Sequence, residues 1–125
     1  MPRFVETKTV TGTISANQTL DIYTATANTL LKFRYTSETY NCYLIFNGDT
    51  SDQSIMVIGS SQFPSQFDLL DYSRRLVSPV LYPIIGGNRI RPKELVFLLG
   101  AGEKIQLYCI SGNNIPVNVI LEIYQ

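Results

Sequence analysis

The sequence predicts an all-β protein, a single antiparallel β-sandwich or jelly roll of about eight or nine strands with a short helical turn in a central insertion. Three observations point there. Apolar residues alternate with polar ones at period two wherever a pattern is legible. Clusters of Gly, Asn, Asp and Ser recur between these stretches as explicit turns. No heptad, internal repeat or low-complexity tract interrupts them.

Residues 3–14 form the first expected strand, with β-branched side chains from Thr7, Thr9, Thr11 and Thr13. "SANQT" turns the chain into a second strand near 19–26. In "LLKFRYT", Leu31, Phe33 and Tyr35 face one way while Lys32 and Arg34 face the other. In "YNCYLIFN", Tyr40, Cys42, Leu44 and Phe46 share a face, and "NGDTSDQ" closes the strand. Further strands fall near 54–59, 75–84 and 94–99. After "GAGE", the stretch "EKIQLYCIS" sets Ile105, Leu107 and Cys109 inward against Lys104, Gln106 and Tyr108. "SGNN" precedes "VNVILEIYQ", with Val117, Val119, Leu121 and Ile123 inward. Each such strand is expected to be half-buried, with one face toward water or a partner.

Residues 60–93 break the rhythm with Pro64, Pro79, Pro83 and Pro92. "SQFDLLDYSRR" places Asp68 three residues after Ser65, the spacing of a helix cap. The reading is a helical turn inserted between strands; the alternative is an irregular crossover between two sheets. With 125 residues and no linker, residues 1–125 read as one domain.

Composition narrows the function. Ten basic residues balance ten acidic ones, so no global field attracts nucleic acid or membrane. Charged residues make up 16% of the chain, against roughly 25% in soluble domains. A surface so poor in charge suits one that a partner covers, or a thin two-layer β fold. "MPRFVETKTV" lacks the apolar core of a signal peptide, and no later run approaches the ~20 residues of a membrane span. The expectation is synthesis in a cytoplasm.

Chemistry finds little to work with. There is no histidine, which removes imidazole bases, Ser-His and Cys-His nucleophiles and the usual zinc ligand sets. Cys42 and Cys109 lie on the apolar registers of their strands and read as two buried free thiols, a disulfide being the alternative. Asp68 and Asp71 are the nearest thing to a carboxylate pair, but such pairs usually come from separate strands facing a cleft. Asn47, Asp49, Thr50, Ser51 and Asp52 offer oxygen atoms to a calcium ion, yet their spacing is not that of an EF-hand and a hairpin turn explains them. Phe33, Arg34 and Tyr35 come closest to a base-stacking strand. The expectation is a protein with no catalytic site, cofactor or metal.

Local charge is more telling. From 47 to 71 the charged residues are Asp49, Asp52, Asp68 and Asp71; from 74 to 93 they are Arg74, Arg75, Arg89, Arg91 and Lys93. Three of the latter crowd "IGGNRIRPKE", which lacks the phosphate-cradling pattern GxxxxGK[ST]. The basic block therefore reads as a docking patch, pairing within the subunit or across an interface where Arg is favoured. Outward residues Tyr108, Ile110, Ile120 and Tyr124 are the other expected contact residues.

"TGTISANQTLDIYTATANTLLKFRYTS" resembles the opening of small β-sandwich virion proteins of tailed bacteriophages. There a Thr-rich first strand leads to a "YTA-x-AN-T" step, here Tyr23, Thr24, Ala25, Ala27, Asn28 and Thr29, and then to a strand, here Leu30 to Tyr35. "LLGAGEKIQLYCISGNNIPVNVILEIYQ" resembles their closing hairpin through Gly100, Gly102, Glu103, Ile105 and Leu107, a hairpin that TNF- and C1q-like jelly rolls share. The likeness covers about the first and last thirds of the chain. It implies a non-enzymatic virion structural protein: a head cement or decoration protein, or a tail or baseplate accessory of the same fold. The implied partners are the major capsid protein or other virion subunits, and a homo-oligomer, with trimers first. A carbohydrate-binding receptor module, with Tyr72 and Tyr82 stacking on a sugar, is the reading from another class.

Overall fold

The computed structural model describes residues 2–35, 39–58, 66–69, 76–78 and 94–125. Ten strands are described: β1 (Phe4–Ile14), β2 (Thr19–Thr24), β3 (Thr29–Tyr35), β4 (Cys42–Phe46), β5 (Ile55–Ile58), β6 (Gln66–Leu69), β7 (Leu76–Ser78), β8 (Glu94–Leu99), β9 (Lys104–Cys109) and β10 (Ile115–Tyr124). They form two five-stranded sheets, ordered β1-β10-β3-β8-β7 and β2-β9-β4-β5-β6, and every pairing is antiparallel. The chain is all-β and sandwich-like, with no helix among the described residues.

Alternation places the core. On β10, Val117, Val119, Leu121 and Ile123 are buried while Asn118, Ile120, Glu122 and Tyr124 are only partly so. Leu31 and Phe33 on β3, and Leu95, Phe97 and Leu99 on β8, complete the inward layer of the first sheet. The second sheet answers with Leu44 and Phe46, Ile55 and Val57, Phe67 and Leu69, Ile105 and Leu107. Two edge-to-face ring pairs join the layers: Phe33 with Phe67 at 5.6 Å, and Phe46 with Phe97 at 5.4 Å between centroids.

Three expectations change. Residues 66–69 are a strand rather than part of a helical turn, with Ile55 opposite Leu69 and Val57 opposite Phe67. Phe67 and Leu69 stand two apart and both are fully buried, so period-two burial outweighs the cap spacing at Ser65 and Asp68. Residues 70–75 lie outside the described residues. Second, Tyr40 does not share the inward face of Cys42, Leu44 and Phe46; it is 45% exposed. Asn41 has φ 56°, a left-handed turn that breaks the alternation just before β4. Third, β4 is not half-buried: Tyr43 and Ile45 on its outward register are buried too.

The turns fall where they were read. In them Asn17, Asn47 and Asn114 sit at positive φ, as does Asn41 at the unexpected turn before β4, a conformation asparagine tolerates better than most residues. Within the proline-rich insertion, β6 extends the edge of one sheet and β7 the edge of the other.

Strand β1 is the exception to burial. It pairs only with β10 among the described residues and is exposed along both faces, apart from Val10 and Ile14. The Glu6, Lys8 and Gly12 register points toward the core side but is left open.

Cys42 and Cys109 lie directly opposite each other across β4 and β9, both buried and both free. Burial first, and the neighbouring Cys109 second, push the Cys42 thiol well above the ordinary range. Iodoacetamide at neutral pH should therefore leave both thiols unmodified in the native protein and label them on unfolding; rapid native labelling would place them at the surface. Phe97→Ala, which removes one cross-sheet ring pair, should lower the unfolding free energy by about 3–5 kcal/mol, read by urea titration.

Candidate interaction surface

The outward face of the first sheet carries a row of apolar side chains across four strands. Phe4 on β1 is opposite Tyr124 on β10, Tyr124 is opposite Leu30 on β3, and Leu30 is opposite Leu98 on β8. Phe4 is 57% and Leu98 53% exposed, so both ends of the row are open to water. The Phe4 and Tyr124 rings meet edge to face at 5.5 Å. Beside Leu30 and Leu98 lies an open cleft of about 620 Å³, reached by Asn28, Glu103 and Gln125.

A charged band borders the row. Lys32 Nζ stands 5.2 Å from the centre of the Tyr124 ring and 4.0 Å from Glu122 Oε2, while the Tyr124 hydroxyl donates to Glu122 at 3.1 Å. Next along, Arg34 Nη2 bonds Glu94 Oε2 at 3.0 Å, and Ile120 lies opposite Arg34. An exposed apolar strip rimmed by paired charges is the make-up of a contact surface. Ion pairs this exposed add little to the stability of the fold.

Of the residues singled out in the sequence, Ile120 and Tyr124 belong to this face. Tyr108 and Ile110 do not join them. Tyr108 sits on β9 in the other sheet, opposite Tyr43 and Thr19, and Ile110 just beyond β9 donates its N–H to the Asn41 carbonyl. Arg74, Arg75, Arg89, Arg91 and Lys93 lie outside the described residues, as do Asp71, Tyr72, Tyr82 and the side chain of Asp68. Phe4, Leu30 and Leu98 were missed. Their signal was legible: Leu30 and Leu98 are apolar residues on the outward register of "TLLKFRY" and "ELVFLL", whose inward residues are Leu31, Phe33, Leu95, Phe97 and Leu99.

The acidic loop after β4 is occupied by its own turns. Asp49 accepts from the Ser51 N–H and hydroxyl, and Asp52 from the Ser54 N–H and hydroxyl. Both Ser51 bonds hold the Asp49 carboxyl below its ordinary range. Among the described residues no three Cys, Asp or Glu side chains cluster as metal ligands. Asn47 Oδ1 accepts from the Lys104 N–H at 2.9 Å, which clasps the end of β4 to β9.

On the other outward face, Gln106 forms a buried polar clip. It is only 7% exposed. Its Nε2 donates to Asp21 Oδ1 at 2.7 Å, and its Oε1 accepts from the Gly48 N–H at 2.8 Å. The clip ties β2, β9 and the loop after β4. The Gln106 bond first, with Lys104 at 3.4 Å adding to it, holds the Asp21 carboxyl below its ordinary range against a small burial cost.

The two stretches that carried the sequence resemblance meet in space. The Ala25 N–H donates to the Glu103 carbonyl at 2.9 Å, and the Gly102 N–H to the Ala25 carbonyl at 2.7 Å. Gly102 has φ 87°, where a side chain would strain the backbone. No protein-family model matches the chain, and neither a curated protein nor a solved structure matches it.

A folded-state pKa below the unfolded one means that the Asp21 contribution is complete above the unfolded pKa and is lost as pH falls through the folded one. Asp21→Asn should therefore cost no more than about 1 kcal/mol at neutral pH, the carboxyl being solvent-screened. It should also flatten the acid limb of the stability curve. Thermal unfolding of both proteins between neutral and acid pH checks this, and an unchanged acid limb counts against the Gln106–Asp21 bond.

Proposed function

We propose that the chain is a non-enzymatic structural subunit of a tailed-phage virion, a head cement or decoration protein that stabilises the shell by contact with the major capsid protein or other virion subunits. The observation that carries this reading is the apolar row Phe4–Tyr124–Leu30–Leu98, which crosses four strands, is exposed at both ends and partly so between them, and is bordered by paired charges. A surface of that kind is suited to adhesion, by removing apolar area from water.

The strand order supports the same reading. With β6 and β7 set aside as added edges, the sheets run β1-β10-β3-β8 and β2-β9-β4-β5. That interleaving is the order of an eight-stranded jelly roll, an architecture that viral capsid and lectin domains share. Fold by itself does not choose between them. The resemblance of the first and last thirds to small virion sandwiches favours the capsid side, and the basic block at 74–93 adds a docking patch for acidic neighbours.

Gradient-purified particles from cells that produce the chain should contain it in many copies per head, counted by quantitative mass spectrometry. Leu98→Asp, which removes about 1.5–3 kcal/mol of apolar burial, should lower occupancy by about tenfold or more. Charge reversal at Arg89 and Arg91 should lower it with the isolated fold intact. Recovery with tails instead of heads would make it a tail accessory. Absence from particles, with binding on a glycan array, would replace the virion reading by a receptor module.

A further inference from the structure

We infer that β1 is a dimerisation strand, whose open edge pairs antiparallel with the same edge of a second copy of this chain about a two-fold axis at Thr7. The inference stands apart from the virion reading, since it concerns an edge that any assembly would leave or fill.

The edge is open in a specific register. Thr13 lies opposite Pro116, and the Pro116 carbonyl accepts from Thr39 Oγ1 at 2.8 Å. Thr39 follows β3, on the far side of β10 from β1, so Pro116 turns its carbonyl away from β1. In an antiparallel ladder both members of such a pair turn their backbone groups outward. Thr13 therefore presents its N–H and C=O to the free edge. Because the register is unbroken from Glu6 to Ile14, Thr11, Thr9 and Thr7 do the same.

Natural sheets protect an edge of this length with proline, covering segments, bulges or inward-pointing charges. The bulge of β1 lies at its start, between Phe4 and Glu6, and leaves the edge from Thr7 to Thr13 regular. Residues 4–14 contain no proline, and nothing described covers them. The charges here do the opposite of repelling. Glu6 and Lys8 lie two apart on one face, with no ion-pair partner among the described residues. A two-fold axis at Thr7 sets Glu6 opposite the partner's Lys8 and Lys8 opposite the partner's Glu6. Thr7 then meets the partner's Thr7. Centring the axis on Lys8 would oppose two like charges, and centring it on Thr9 would leave both charges unmatched. Opposite charges directly across antiparallel strands stabilise pairing, and like charges destabilise it. A two-fold contact repeats each pair twice. The two first sheets would join into one continuous sheet, a two-fold pair in place of the trimer that the sequence resemblance implied.

Sedimentation equilibrium on the chain and three variants tests this. Wild type should be a dimer at micromolar concentration. Glu6→Lys and Lys8→Glu should each weaken it by about tenfold or more, and the double swap Glu6→Lys/Lys8→Glu should restore it. Both positions are exposed, so circular dichroism and melting of each variant should match wild type. A second single variant guards against one that fails to fold. A monomeric or trimeric wild type overturns the proposal. So does a dimer indifferent to the single changes, or a swap that fails to recover it.

Discussion

Two phenylalanine pairs hold the rest of the structure in place. Phe33 and Phe97 come from the first sheet and reach Phe67 and Phe46 on the second, each edge to face. Contact across sheets fixes the spacing of the two layers, and the aliphatic rows fill what remains. Because interiors are close-packed, moving one ring displaces its neighbours on both sheets. The second sheet's short strand β6 joins the core through Phe67 and Leu69, both fully buried. A four-residue strand holds its place by what it buries more than by its own ladder.

The corners depend on that layer as well. Strands β1 to β4 alternate between the sheets, as do β8 to β10, so the chain crosses between layers repeatedly, and the crossings need sharp, polar turns. Asn17, Asn41 and Asn114 at positive φ serve three of them, and Gly102 serves the corner where Ala25 donates to the Glu103 carbonyl and accepts from the Gly102 N–H. Polar side chains then tie neighbouring turns together. Ser15 donates to Asn113 Oδ1 and accepts from the Asn114 N–H, which locks the turn after β1 to the turn before β10. The outward face of the second sheet carries one such tie, the Gln106 clip, while that of the first sheet carries the apolar row and its charged border.

Strand β1 shows the limit of the core. Its pairing with β10 is long, but the opposite layer ends at β2, so residues such as Glu6 and Lys8 have no apolar layer to face. That is why charges are tolerated at an inward register there and nowhere along Val117, Val119, Leu121 and Ile123 of its partner strand. An edge with open amides on one side and mixed charge on its face is a template for a strand, and its own sequence is the complement.

Which residues face inward was legible from the sequence by itself. Alternation is local, set by the pleat, so "VNVILEIYQ" and "EKIQLYC" announce their buried rows without any partner. The turns were legible for the same reason, since Gly, Asn and Asp act on their own backbone angles. Membership of a sheet was not, because it depends on which distant strand offers hydrogen bonds. Tyr108 and Tyr124 both read as outward, yet pairing with β4 and with β1 sends them to opposite outward faces. Tertiary structure also overrode local preference at Phe67 and Leu69, where the pull of the core outweighed a capping signal. It buried Tyr43, Ile45 and Gln106 on registers that alternation assigned to water. Side-chain direction is a property of neighbouring residues; burial is a property of whatever the folded chain brings against them.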